Sequence, residues 1–176
     1  MLLFLTGMPG AGKTFWLNSF AEALQYQTAD LDQFIEERQG CSIPVLFQRG
    51  EGYFRRVEKE ALDALVQARQ NTVIATGGGT PCHEDNMAKM KQNGMTVYLQ
   101  ASVRQLCQRL AQDVSSRPLL AQLTSRELYC RLEAILSGRQ YFYRQSDIVF
   151  NTETDNFAHI IAQIQSLQRQ NNNSHV

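Results

Sequence analysis

The segment GMPGAGKT, Gly7 to Thr14, follows directly on the apolar run LLFLT and precedes a stretch with helical spacing. Three glycines and a proline packed into it suit neither the interior of a helix nor that of a strand. Gly7-x-x-x-x-Gly12-Lys13-Thr14, set between a strand and a helix start, is the full Walker A pattern in the context it requires. Gly10, Ala11 and Gly12 keep side chains out of the way while backbone N–H groups converge on anionic oxygens. The following helix adds the partial positive charge of its N-terminus. Lys13 is expected to neutralise terminal phosphates and the Thr14 hydroxyl to ligate Mg²⁺. The segment reads as a phosphate cradle rather than a plain glycine-rich turn.

The remainder of the chain supplies a sheet for that cradle. Short apolar runs predict strands at Leu2–Thr6, near Thr28–Leu31, and at Val73–Thr76, Met95–Gln100 and Ile148–Asn151. Helical spacing fills the gaps: TFWLNSFAEALQ, FRRVEKEALDALVQAR, SVRQLCQRLAQ, SRELYCRLEAILSGRQYFYRQ and NFAHIIAQIQSLQ. Strands alternating with helices imply an α/β fold with a parallel sheet, whose sites form at the carboxyl ends of the strands. The segment around 112–125, containing SSRPLL, interrupts two helical patterns and is expected to be a small lid. The polar end QRQNNNSHV is expected to fray.

Composition narrows the partners. The chain has 176 residues with 17 basic and 17 acidic side chains, giving no global case for a nucleic-acid or membrane partner. No apolar stretch approaches the ~20 residues of a membrane span, and MLLFLTG does not read as a signal peptide. Four scattered cysteines without CxxC spacing read as reduced thiols, so a cytoplasmic protein is expected.

Several further residues sit where a site would form. Asp30 and Asp32 close the second strand; if that segment is extended, both carboxylates share one side near the cradle. One is placed to hold Mg²⁺ through water and the other to accept hydrogen bonds from substrate hydroxyls, unless the pair simply caps the helix QFIEERQG. The third strand ends in Gly77 where many P-loop hydrolases carry a metal-binding aspartate, which leaves Asp30 as the best metal candidate. Arg55 and Glu58 are helical neighbours, either a buried pair aiming a guanidinium at a ligand or a solvated turn. Gly77–Gly79 suggest close backbone approach to a ligand or to the P-loop, or a flexible turn. Arg117 lies on the expected lid, where an arginine can close on a transferring phosphoryl group. Arg139 and Tyr143 share a helix face, and Arg139 is either an anion ligand or a surface cation. His83, His159 and His175 receive no catalytic role, and the Tyr141–Tyr143 cluster reads as packing.

Taken together, GMPGAGKT, DLD, FRRVE, GGG, RPLL and RQYFY, in this order and spacing from Met1 to about Asn151, resemble the shikimate kinase family. The resemblance implies a three-layer P-loop kinase fold with a five-stranded parallel sheet in the order 2-3-1-4-5 and a small lid. It implies one such domain over residues 1–166, with a substrate-binding region at about 32–60, a lid at about 112–125 and a polar tail at 167–176. The implied reaction moves the γ-phosphoryl group of MgATP to the 3-hydroxyl of shikimate, in a cytoplasmic monomer. By position, Asp32 would hold ring hydroxyls, with a role as general base ranked second. Arg55 and Arg139 would clamp the carboxylate, Glu58 would orient Arg55, and the backbone at Gly78 and Gly79 would meet the substrate. Thr14 would bind the metal directly and Asp30 through water. Lys13 and Arg117 would stabilise the transferring group, and Arg109 would pack on adenine. The physical requirements agree: a small acid with three hydroxyls needs a cationic clamp at one end and a carboxylate acceptor at the other. The rivals are another small-molecule kinase such as a gluconate or nucleotide kinase, and a non-catalytic nucleotide-binding module, for which the cradle alone would suffice.

Overall fold

The computed structural model describes residues 1–112 and 123–173. Its elements alternate as the sequence requires. Strand β1 (Leu2–Thr6) leads through the glycine loop into α1 (Lys13–Leu24), and β2 (Gln27–Asp30) into α2 (Leu31–Gln39), α3 (Ile43–Gln48) and α4 (Glu51–Ala68). Then come β3 (Thr72–Ala75), a 3₁₀ turn at Thr80–Cys82, α5 (Asn86–Asn93), β4 (Gly94–Gln100), α6 (Val103–Gln112), α7 (Ser125–Tyr143), β5 (Ile148–Asn151) and α8 (Phe157–Asn173).

All four strand pairings are parallel and the order is β2-β3-β1-β4-β5, as the family resemblance implies. Alternation along β1 splits the core into two layers. Leu3 and Leu5 join α1, α6, α7 and α8 in one cluster, while Leu2 and Phe4 join α2, α3, α4 and α5 in another. Because β1 is paired on both edges and buried on both faces, whatever loop leaves its end is held by the centre of the molecule.

Strand ends fall within one residue of expectation, but three differences carry a reason. Strand β2 stops at Asp30, so Asp30 and Asp32 do not share one side of an extended segment. Asp30 instead caps α2, its carboxylate accepting from the Asp32 and Gln33 amides, and Asp32 lies in the first helical turn. Helix α3 was not predicted, because six residues span too few turns for periodicity to register, whereas α5 begins where His83–Asp85 read as a helix start, with Asp85 as its N-cap. Helix α8 continues to Asn173, through most of the segment read as a polar tail, because Ile160 and Ile164 anchor it to the core.

Candidate active site

The glycine loop wraps back over the end of β1. Gly7 has φ +138°, and a Cβ there would meet the Leu99 carbonyl oxygen at 2.7 Å, so no other residue fits without shifting β4. Lys13 opens α1 and its Nζ donates to the carbonyls of Gly7 (2.9 Å) and Met8 (3.0 Å). Arg109 of α6 reaches across, donating to the Ala11 carbonyl at 3.1 Å and to Thr152 Oγ1 at 3.4 Å, which ties the loop to the segment after β5. Ala11 itself is fully buried and its amide donates to Met8 O.

A cavity of about 590 Å³ opens above this loop. Gly10, Gly12, Lys13, Thr14 and Arg109 line one side; Asp30, Asp32, Arg55, Glu58, Gly77–Gly79 and Arg139 line the rest. Arg117 and most of the expected lid lie outside the described residues. Every other polar site residue expected from the sequence therefore meets in one space, at the carboxyl ends of the strands.

The side facing the loop is a network of buried ionic and polar contacts. Glu58, 1% exposed, accepts from Arg55 Nη1 at 2.8 Å and from Thr80 Oγ1 at 2.6 Å. A buried carboxylate is tolerable only with such partners. The glycine run lies directly against them: a Cβ on Gly79 would stand 2.7 Å from Arg55 Nη2. Gly78 is fixed from the other flank, its carbonyl accepting at 2.5 Å from the hydroxyl of Tyr143, which stacks on Tyr98. Asn86 Nδ2 donates to Thr80 O at 3.0 Å and steadies the turn that follows. The run is thus a packed strip of backbone, not a flexible turn.

Sequence reasoning missed the parts of this network that act through others. Thr80 directly follows the three glycines, and that adjacency was its only signal. Of the Tyr141–Tyr143 cluster Tyr143 packs as expected and also holds Gly78, whereas Tyr141 is 74% exposed; the place of Tyr143 one turn after Arg139 was the available clue. Phe47, on the unpredicted α3, and Phe54 set their rings 5.8 and 5.1 Å from the Arg55 guanidinium.

Electrostatics separates the groups further. Asp32 is open to the water of the cavity, yet the walls strip part of its solvation and Asp30, Glu58 and Glu36 crowd it with like charge. Against the pull of Lys13, its pKa is pushed up to about 6. Burial pushes the Cys82 thiol up to about 11 despite the nearby arginines, so it stays protonated and is no nucleophile. Burial and the neighbouring Arg55 lower the pKa of His83.

A parallel sheet in this order, with a Walker A loop on its central strand and a buried ionic cluster sharing its cavity, has the architecture of a P-loop kinase. The chain belongs to the shikimate kinase family, whose model matches residues 9–168. It is 39% identical over 168 residues to the shikimate kinase of Bacteroides thetaiotaomicron, covering 94% of this chain and 95% of that protein. A crystal structure of shikimate kinase from that organism superposes with a TM-score of 0.84 at 38% identity, covering 97% of each chain. Shikimate kinase from Acinetobacter baumannii, solved in complex with shikimate, gives 0.81 at 33% identity over 97% of this chain and 93% of that one. No helix among the described residues is long and apolar enough to cross a membrane.

Proposed function

We propose that this chain transfers the γ-phosphoryl group of ATP to the 3-hydroxyl of shikimate. One observation carries the reading: the Walker A residues and a carboxylate-plus-two-arginine set line a single cavity.

The residues divide the work by position. The cradle amides and Lys13 bind the terminal phosphates, Lys13 exchanging its carbonyl contacts for phosphate oxygens. Arg109 packs on the adenine. Arg55 and Arg139 clamp the acceptor's carboxylate and so fix which hydroxyl points at the phosphate. Asp32 accepts from ring hydroxyls and the backbone at Gly78 and Gly79 closes the remaining side. Phosphoryl transfer depends chiefly on positioning and charge stabilisation, so Asp32 serves first as an orienter. Arg117 is assigned a place on the transferring group by the family pattern alone.

Thr14 and Asp30 fit a magnesium site. The Thr14 hydroxyl stands 3.2 Å from Asp30 Oδ2 at the mouth of the cavity. Among the described residues no cage of three or more His, Cys, Asp or Glu exists. Mg²⁺ suits such a place, since it takes one or two protein oxygens and completes its shell with phosphates and water. Bound there, it would neutralise charge on the β- and γ-phosphates. The reading includes a monomeric, cytoplasmic enzyme; the four unpaired thiols support the compartment.

The test is a coupled ADP-release assay with MgATP, with and without shikimate, and with gluconate and nucleoside monophosphates as rival acceptors. Release stimulated by shikimate alone is expected. Folded, ATP-binding protein that ignores shikimate would return the acceptor to an open question.

A further inference from the structure

We propose that Glu51 is an internal stand-in for the acceptor's carboxylate, occupying the face of Arg55 that the substrate must take. The inference rests on the reading of Arg55 as the carboxylate anchor and adds to it a built-in competitor.

The Arg55 guanidinium is enclosed on nearly every side. Nη1 donates to buried Glu58, Gly79 lies close against Nη1 and Nη2, and the rings of Phe54 and Phe47 stand near it. The edge that remains, Nε and Nη2, is taken by Glu51 Oε1 at 3.4 and 3.2 Å. This is the bidentate edge an incoming carboxylate needs.

The two glutamates on Arg55 differ in what they can do. Glu58 is 1% exposed and cannot leave without stranding a buried charge. Glu51 is 62% exposed, in the first turn of α4, and can swing into water at little cost. His83 Nε2, 3.9 Å from the same Oε1, lies beside the way out. With both glutamates in place Arg55 is neutralised. Arg139 has no acidic partner among the described ion pairs and so offers the first attraction to an incoming anion.

Binding is then an exchange of one carboxylate for another. An acceptor that carries a carboxylate displaces Glu51 and is anchored twice, by Arg139 and then by Arg55. A neutral polyol has nothing to displace Glu51 with, so the device favours acids at the expense of absolute affinity.

Three variants of the intact protein test this, with shikimate varied at saturating MgATP. Glu51→Gln keeps the shape and removes the charge, and is expected to lower the KM for shikimate by about threefold to tenfold while the KM for ATP holds. Glu51→Asp keeps the charge but is too short to hold the Arg55 edge, and is expected to lower KM as well. Arg55→Lys is expected to raise it. An unchanged or raised KM in Glu51→Gln, with Arg55→Lys still raising it, overturns the stand-in and leaves the anchor. A fall in Glu51→Gln without one in Glu51→Asp overturns the contact and leaves only a local repulsive field. An unchanged KM in Arg55→Lys would instead defeat the anchor reading itself.

Discussion

The two walls of the cavity are built by opposite means. The phosphate wall is mainly one short run of chain, Gly7 to Thr14, leaving the central strand, with the Lys13 side chain and Arg109 of α6 set against its backbone. The acceptor wall is assembled from side chains on α2, α4 and α7 together with the strip after β3, spread in sequence from Asp32 to Arg139. Backbone suits a ligand that is always phosphate. Side chains from separate elements suit a ligand whose carboxylate and hydroxyls must be told apart.

If that division is real, damage to one wall should leave the other's ligand bound. Lys13→Ala should make the largest difference, lowering kcat by about 10³-fold, roughly 4 kcal/mol of charge stabilisation. Shikimate binding by titration calorimetry should stay close to that of the parent protein, and a parallel loss would merge the two walls. Arg139→Ala should do the converse, weakening shikimate by about 10²-fold, near 3 kcal/mol, while ATP binding survives. Wild-type shikimate affinity in that variant would remove Arg139 from the wall.

Smaller effects probe how the acceptor wall is held. Thr80→Val leaves buried Glu58 short of a donor and should cost about 2 kcal/mol in urea unfolding, with Thr80→Ser recovering most of it. Tyr143→Phe removes the bond to the Gly78 carbonyl and should cost about 1 kcal/mol, read as a few-fold rise in the KM for shikimate. The gentlest effect is in pH. Asp32 must be ionised to accept from hydroxyls, so kcat/KM for shikimate should rise with pH to a plateau, with a midpoint at about 6. Its folded pKa lies above the unfolded value of 3.8, so the folded state holds this proton more tightly. The contribution therefore favours the fold at low pH and is lost as pH rises from 3.8 towards 6. Asp32→Asn should abolish both trends.

Legibility in the sequence followed the same division. The cradle could be read because its chemistry is contiguous, and four of the strands because each is a short apolar run ended by a polar or glycine residue; the edge strand β2, QTAD, has one apolar residue. Glu58 and Arg55 were legible as a pair through helical spacing. What pairs across the fold was not: Thr80 with Glu58, 22 residues apart, or Tyr143 with Gly78, 65 apart. Asp32 lines the cavity, but it does not get there by the route expected from the sequence. It reaches the cavity from a helical turn that Asp30 caps, and no two-residue strand alternation is involved.

The place of β1 in the sheet has a consequence for how the walls behave in time. Its amides are bonded between two neighbours and its residues Leu3, Phe4 and Leu5 are wholly enclosed, so their hydrogen exchange must await unfolding of the whole domain. Helix α3, with Val45 and Phe47 partly in water, can exchange through local opening. The strand that carries the glycine loop is therefore set once, when the chain folds, whereas α3, whose Phe47 lies beside Arg55, can open and close again without it.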